Sequence, residues 1–120
     1  MEHTLSPVEK RVELSMLYDF YGELLKENQR QIFEDYIQND YSLAEIAEEY
    51  GVSRQSIHDT VRRCTRQLED YEERLHLAAR FAEAKELLRQ INRLTEPDRG
   101  QEEAALCKIR ELSEHLLKLW

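Results

Sequence analysis

The feature that most constrains the fold is a glycine between two stretches of helical pattern, in the sequence SLAEIAEEYGVSRQSIHDTVRRC that begins at Ser42. Glu45 follows Ser42 by three residues, a spacing at which each side chain can cap the backbone N–H of the other at a helix start. Gly51 follows this short segment directly, and a sharp turn needs the left-handed conformation that glycine adopts without steric cost. We therefore predict a short helix over residues 42–50 that ends in a tight turn.

The segment after the glycine has the pattern of a second helix with one buried and one exposed face. Ser53 is a residue type that favours the N-cap position. Apolar residues then recur at steps of three and four, and they are Ile57, Val61, Cys64 and Leu68. We expect Val52 to be an apolar plug in the turn and Ala47 to let the two helices approach closely. A helix over residues 53–68 completes a helix-turn-helix, an arrangement that can hold its second helix in the major groove of DNA.

The face of this second helix that lies opposite its apolar positions is rich in arginine. The residues predicted to contact DNA are Ser53, Arg54, Gln55, His58, Arg62 and Arg63, with Arg66 at a phosphate. Arginine and glutamine can form two hydrogen bonds with a base edge, and arginines farther along a helix suit phosphates. Backbone N–H groups at the start of a helix can also donate to a phosphate.

The charge of the whole chain is opposite to that of this face. The 120 residues carry a formal net charge of −8, whereas residues 53–68 contain four arginines and one acid, Asp59. Charges separated by more than about 8 Å are largely screened at physiological salt, so distant acids do not forbid binding to DNA. The positive excess is small, and we therefore expect weak affinity from phosphate contacts alone.

The rest of the chain is also predicted to be helical, because glycine and proline are scarce. Ser6 and Pro7 suit the start of a first helix, in which Gly22 would mark a close approach to another helix. The apolar residues that we expect on its buried face are Val8, Val12, Met16, Leu17, Phe20, Tyr21 and Leu24. The prediction is an all-α protein whose N-terminal helical bundle, residues 1–72, contains the helix-turn-helix.

Residues 73–120 are predicted to be a C-terminal helical extension, broken at TEPDRG, residues 95–100. The apolar stripe before the break is Leu75, Ala78, Ala79, Ala82, Leu88, Ile91 and Leu94, and Phe81 and Leu87 widen it. The stripe after it is Ala105, Ile109, Leu112, Leu116 and Leu119, with heptad-like spacing. These helices either fold back on the bundle as an antiparallel pair or meet a second copy. We favour a homodimer, because the seam exceeds what so small a bundle can cover.

The sequence lacks the residues that several classes of function require. Cys64 and Cys107 stand alone, and the four histidines have no metal-ligand spacing with either, so we predict no metal site and no disulfide. The sequence has no phosphate-binding glycine loop and no nucleophile motif, so we predict neither an enzyme nor a cofactor. We expect a cytoplasmic protein, since no apolar run approaches the roughly 18 residues of a membrane span and the N-terminus lacks a signal-peptide core.

The helical pattern of residues 24–68 resembles region 4 of bacterial sigma factors, the region that reads a promoter element. Nothing before Leu24 resembles the sigma region that opens the promoter, so the chain is not a sigma factor. Over about residues 12–75 the chain is similar to the YlxM family of small bacterial proteins. The motifs that carry this similarity are LYDFYGELL, DYSLAEIAEEYGVSRQSIHDTVRRC and LEDYEERL, while the acidic tail matches only in character.

The resemblance to the YlxM family implies an all-helical, cytosolic DNA-binding protein that is associated with, and regulates, the signal recognition particle pathway. His58 and Asp59 depart from the basic residues that sigma factors often carry on this face. The alternative is a protein-interaction module that binds a component of the signal recognition particle without a role on DNA. Binding of the particle's RNA is less favoured, because the major groove of A-form RNA is deep and narrow.

Overall fold

A computed structural model of the chain describes residues 6–96 and 100–120, and within these ranges it contains helices and no β-strand. The elements are α1 (Pro7–Tyr21), a 3-10 turn (Gly22–Leu24), α2 (Glu27–Ile37), α3 (Leu43–Tyr50), α4 (Arg54–Leu75), α5 (Leu77–Leu94) and α6 (Glu102–Lys118). The all-α prediction is confirmed. The chain forms two compact units, Met1–His76 and Leu77–Trp120.

The first unit is built around α4, because α1, α2 and α3 all pack against it. The buried apolar residues of this unit are Leu14, Leu17, Tyr21, Leu25, Phe33, Ile37, Ile46, Ala47, Ile57, Val61, Cys64 and Leu68. The four inward positions predicted for the second helix of the module are thus confirmed. Burial of each large apolar side chain stabilises the fold by about 1.5–3 kcal/mol relative to leaving it exposed.

The start of α1 is as predicted, and its buried face is predicted in part, at Leu17 and Tyr21. The Ser6 hydroxyl oxygen accepts a hydrogen bond from the Glu9 N–H at 3.2 Å, and Pro7 is the first helical residue. Val8 and Val12 are 72% and 62% exposed, and the residues that α1 buries are Leu14, Leu17 and Tyr21. The apolar residues of α1 form two overlapping stripes. The stripe that includes Val8 and Val12 faces solvent, and the stripe that includes Leu14, Leu17 and Tyr21 faces the neighbouring helices.

The helix α4 continues seven residues beyond the end predicted at residue 68, because its last two turns also have partners on α1. The Tyr21 hydroxyl donates to Glu72 Oε1 at 2.6 Å, and the rings of Tyr21 and Tyr71 are 5.8 Å apart between centroids. The helix ends at His76, which adopts a left-handed φ of 55° without being glycine. No glycine or proline marks this end in the sequence, and for that reason the sequence pattern did not predict it.

The two cysteines have different environments, and both are free thiols. Cys64 is fully buried, and its thiol is 3.8 Å from the carbonyl oxygen of Gln29. Burial raises the pKa of the Cys64 thiol to about 11, so it stays neutral at physiological pH and packs as a small apolar residue. Cys107 is exposed.

The second unit is an antiparallel hairpin of α5 and α6. His115 Nε2 near the end of α6 lies 3.0 Å from Glu83 Oε1 in the first half of α5. The predicted stripe of α6 lies toward α5, with Leu112 buried. The predicted stripe of α5 is confirmed in part, since Ala78 and Leu87 are buried but Leu88 is 51% exposed. The break predicted at 95–100 falls between the two helices, although residues 97–99 lie outside the described residues.

Gly22 is close to an aromatic ring of its own helix rather than to another helix. An added Cβ would lie 2.7 Å from Cε2 of Tyr18. The Tyr18 ring is 5.8 Å from the Phe33 ring between centroids, and its hydroxyl donates to Glu34 Oε2 at 2.9 Å. Burial, together with the hydrogen bond to the Glu34 carboxylate, raises the pKa of Tyr18 to about 12. The ring is therefore held in place and leaves no room for a side chain at position 22.

We expect Gly22→Ala to lower the free energy of unfolding by about 1–3 kcal/mol, because overpacking costs more than the better helix propensity of alanine returns. Urea denaturation followed by circular dichroism measures the change. The same substitution in a Tyr18→Ala background should cost much less, because the obstructing ring is absent. A stabilising effect of Gly22→Ala in the unaltered chain would show that the Tyr18 ring moves freely.

Candidate nucleic-acid interface

The short helix α3 is fixed at both ends by the hydrogen bonds that the sequence predicted. The Ser42 hydroxyl oxygen accepts from the Glu45 N–H at 3.1 Å, and Glu45 Oε1 accepts from the Ser42 N–H at 3.3 Å. At the other end Gly51 has φ 66° and ψ 33°, the left-handed conformation. The N–H of Val52 donates to the Ala47 carbonyl at 3.0 Å, which closes the turn. These bonds set where α4 can begin.

The side chains at the turn differ in part from the prediction. Ala47 is buried where α3 meets its neighbours, as expected for a small residue at a close approach. Val52 is 45% exposed and is not an apolar plug. The backbone hydrogen bonds around Gly51 close the turn, and Ile46 and Ile57 fill the space beneath it with at most 1% of their surface exposed.

Arg11 of α1 holds the loop from which α3 starts. Its Nη2 donates to the Tyr36 carbonyl at 2.6 Å and to Asp40 Oδ1 at 3.0 Å. The guanidinium also lies 4.7 Å from the centroid of the Tyr36 ring, a favourable cation–π distance. Asp40 adopts a left-handed φ of 58°, which aspartate tolerates better than most residues. The position of the helix-turn-helix therefore depends on a residue near the N-terminus.

A buried carboxylate links the ends of α2 and α3. Asp35 is 5% exposed, and its oxygens accept from Asn39 Nδ2 at 3.0 Å and from the Tyr50 hydroxyl at 3.3 Å. Burial and the negative charge of Asp35 raise the pKa of Tyr50, so the phenol stays protonated as a donor. Tyr50 is 38% exposed, and its hydroxyl is the group that contacts Asp35. A buried charge without such donors would be costly.

The helix α4 begins at the residue that the sequence indicated and turns its basic face to solvent. The Ser53 hydroxyl oxygen accepts from the Ser56 N–H at 3.1 Å, which is the expected N-cap. Because Ile57, Val61 and Leu68 point into the core, the opposite side of the helix must face outward. The predicted contact residues are all exposed, and they are Ser53, Arg54, Gln55, His58, Arg62, Arg63 and Arg66.

These residues do not form one cluster. With about 100° of rotation per residue, Gln55, Arg62 and Arg66 lie near the centre of the outward face. Arg54 and Arg63 are nine residues apart, which is two and a half turns, so they flank this centre on opposite sides. A helix that enters a groove would therefore present Gln55 and Arg62 to its floor and the two flanking arginines to its walls.

Two shallow depressions bring part of the set together. Arg62, Arg63 and Arg66 line one of about 340 Å³ with Asp59. A groove of about 310 Å³ lies beside α4, and its lining residues are Leu14, Tyr36, Leu43, His58, Val61, Arg62, Thr65, Arg66 and Glu69. The contributions of Leu14, Tyr36 and Leu43 were missed, because these residues come from other helices and no local pattern joins them to α4.

The arginines of this face are available to an external anion. Arg54, Arg62, Arg63 and Arg66 form no ion pair with a carboxylate in the part of the chain that the structure describes. Cations elsewhere are engaged, for example in the ion pairs Arg11–Asp40, Arg89–Glu86, Arg93–Glu86 and Arg110–Glu114. The one acid of the face, Asp59, accepts instead from Gln55 Nε2 at 3.0 Å.

Among residues 6–96 and 100–120, the structure contains no group of three or more histidine, cysteine, aspartate or glutamate side chains that could hold a metal ion. The predicted absence of a histidine-based site also concerned His3, which lies outside the described residues. Of the helices described, none is long and apolar enough to cross a membrane.

Two helices joined by a left-handed glycine turn, with the second exposing a basic face, define a helix-turn-helix protein. Residues 8–107 match the family described as "Putative helix-turn-helix protein, YlxM / p13 like", and the chain belongs to this family. It is 40% identical over 112 residues to UPF0122 protein YlxM of Bacillus subtilis, covering 93% of this chain and 97% of that protein. It is also 42% identical to a UPF0122 protein of Bacillus pumilus over 88% and 94% of the two chains. With UPF0122 protein YofM of Lactococcus lactis it shares 36% identity over 89% and 93%.

The turn predicts an order of stabilities for substitutions at position 51. Nothing lies within 4 Å of a Cβ built on Gly51, so only its φ of 66° penalises a side chain. We expect Gly51→Ala to cost about 1–2 kcal/mol and Gly51→Asn to cost less, because asparagine tolerates the left-handed conformation. Thermal and urea unfolding of the two variants test this. Equal stabilities for all three proteins would mean that the turn is not held left-handed.

Proposed function

We propose that this protein is a cytoplasmic regulatory protein that binds duplex DNA by placing the first turns of α4 in the major groove. The observation that carries the proposal is the set of four exposed arginines on the predicted face of α4, Arg54, Arg62, Arg63 and Arg66, that lack an ion pair among the described residues. Unpaired cations on the second helix of this module match the phosphates and base edges that such helices contact. Membership of a helix-turn-helix family supports the same function.

The position of each side chain on α4 supports a division of roles. Gln55, His58 and Arg62 lie on the first three turns of the outward face and would meet base edges. Arg54 and Arg63 flank this face and would meet phosphates on either side, with Arg66 one turn farther along. The Ser53 cap leaves backbone N–H groups at the helix start that can donate to a further phosphate.

The net charge of the chain limits how strong this binding can be. The protein carries −8 overall, and few phosphates can be neutralised by four arginines. Each neutralised phosphate adds roughly 0.9 to the slope of log affinity against log salt, so the slope should be modest. Affinity for DNA of arbitrary sequence should then be weak, and contacts with base edges would have to supply the remaining binding free energy at a specific site.

We expect the Arg54→Ala/Arg62→Ala/Arg63→Ala variant to lose binding to a random duplex at low salt, because three counter-charges to phosphate are removed. Fluorescence anisotropy at two salt concentrations measures this. The matched control removes three arginines of the second unit, in Arg89→Ala/Arg93→Ala/Arg110→Ala, with the same change in net charge. The control should bind as the unaltered protein does. Equal loss in both triple variants, or no binding by any folded protein, would contradict the proposal.

We further propose that the α5–α6 hairpin forms a homodimer through one of its sides. Leu88, Leu106 and Leu117 are 51%, 67% and 78% exposed. Each follows an inward-facing residue by one position, about 100° of rotation, so in an antiparallel pair all three lie on the same side. An exposed apolar side of this kind marks an interaction surface, and two such sides would complete a four-helix bundle.

The dimer predicts different effects for a glutamate on the two sides of α6. We expect Leu117→Glu to shift the protein from dimer to monomer, because the interface would bury an unpaired charge. Ala104→Glu adds the same charge just before the inward-facing Ala105, on the other side, and should leave a dimer. Sedimentation velocity of both variants distinguishes these outcomes. A monomeric unaltered protein at micromolar concentration would contradict the dimer.

A second candidate function is a protein interface, with a component of the signal recognition particle as the partner implied by the family resemblance. It is favoured by the groove beside α4, where Leu14 and Leu43 contribute apolar surface next to Arg62 and Arg66. Such a groove suits an apolar side chain with acidic neighbours. Loss of partner capture with Leu43→Glu, in a protein that shows no affinity for duplex DNA, would favour this function. The RNA of the particle remains the least favoured ligand, since a helix does not readily enter the A-form major groove.

A further inference from the structure

Asp59 occupies an unexpected position for an acid, in the middle of the basic face of α4. It lies one turn after Gln55 and one turn before Arg62 and Arg63, and its side chain is 56% exposed. Its Oδ1 accepts from Gln55 Nε2 at 3.0 Å and lies 3.8 Å from Nδ1 of His58. With Arg62, Arg63 and Arg66 it lines the same shallow depression, although no arginine forms an ion pair with it in the described ranges. A ligand that binds to Arg62, Arg63 and Arg66 in this depression therefore also meets this carboxylate.

The chemistry of a carboxylate makes this contact selective. An ionised carboxylate only accepts hydrogen bonds, so it repels phosphate and gains nothing from the acceptor atoms of guanine or thymine. The major-groove donors are the N4 amino group of cytosine and the N6 amino group of adenine, but adenine also presents the acceptor N7 beside its donor, so cytosine is the usual partner of aspartate there. Against an edge without a donor, the charge would lose water without gaining a partner, and this is costly.

The neighbouring Gln55 is oriented by the same carboxylate. Because the carboxylate only accepts, the amide nitrogen of Gln55 must point toward Asp59, and the amide oxygen points away from it. Gln55 and Asp59 are four residues apart, so both lie on one side of the helix and can reach adjacent base pairs. The two side chains thus form a pre-arranged unit whose outward atoms include the Gln55 oxygen and the second Asp59 oxygen.

We propose that Asp59 is a specificity-determining residue for DNA: it weakens docking of α4 on arbitrary sequence and selects cytosine at the base pair that it faces. The proposal rests on the proposed DNA-binding function and assigns its discrimination to one carboxylate. The small positive excess of the face then has a role. An interface with only weak affinity for arbitrary DNA discriminates between sequences better than an interface dominated by phosphate contacts.

The test compares Asp59→Asn with Asp70→Asn. Asp70 is exposed on the same helix, and its loss changes the net charge equally, but it lies eleven residues and about 16 Å farther along. Each protein is titrated against a random duplex at two salt concentrations by fluorescence anisotropy. Each is also used to select sequences from a randomised duplex pool, from which the base preference at every position is read.

Asp59→Asn should bind the random duplex about 3- to 10-fold more tightly, with a salt slope steeper by about one. It should also lose a cytosine preference of about 5- to 100-fold at one position. Asp70→Asn should behave as the unaltered protein in both assays. Identical behaviour of the two variants in both assays, with measurable binding, overturns the role of Asp59 and leaves DNA binding intact. Absence of binding by all three folded proteins at low salt overturns the DNA function itself and this inference with it.

Discussion

The burial of one face of α4 is the constraint on which the rest of the first unit depends. Ile57, Val61, Cys64 and Leu68 recur at steps of four and three, and each is at most 9% exposed. The helices α1, α2 and α3 all pack against this stripe. Because a helix has one surface to bury and one to expose, the same burial directs the four arginines to solvent. The core and the candidate interface are therefore two consequences of one amphipathic pattern.

The electrostatics of the chain follow from the same division. Acids and bases in the rest of the described chain are often paired with each other, as in Lys10 with Glu69 or Arg11 with Asp40. The arginines of α4 have no such partners among the described residues, and the acid between them is engaged by the neutral Gln55. A protein with a net charge of −8 can in this way present a cationic surface, because screening separates it from distant acids.

Sequence reasoning succeeded where the determining residues lie within a few positions of each other. The reciprocal caps of Ser42 and Glu45, the left-handed Gly51 and the inward positions of α4 are local, and all are found as predicted. The buried faces of α1 and α5 were predicted only in part, because each helix carries more than one apolar stripe and its neighbours decide which is buried. Contacts such as that of Arg11 with Tyr36 join residues 25 positions apart, and no periodic pattern in the sequence predicts them.

For the candidate site, the sequence was enough to predict that the arginines are exposed. It was only partly enough to predict which side chains lie next to them. The four-residue spacing of Gln55 and Asp59 was visible in the sequence and could have identified the pair, whereas the groove that includes Leu14 required the packing of α1.

The most direct test is to map the surface that duplex DNA contacts, by following backbone amide NMR resonances of the full chain during titration with a short duplex at low salt. We expect DNA binding by α4 to give its largest shifts on residues 53–66, at the start and outward face of α4, and to leave the resonances of α6 unchanged. Shifts confined to α5 and α6, or none at a duplex concentration well above that of the protein, would contradict it.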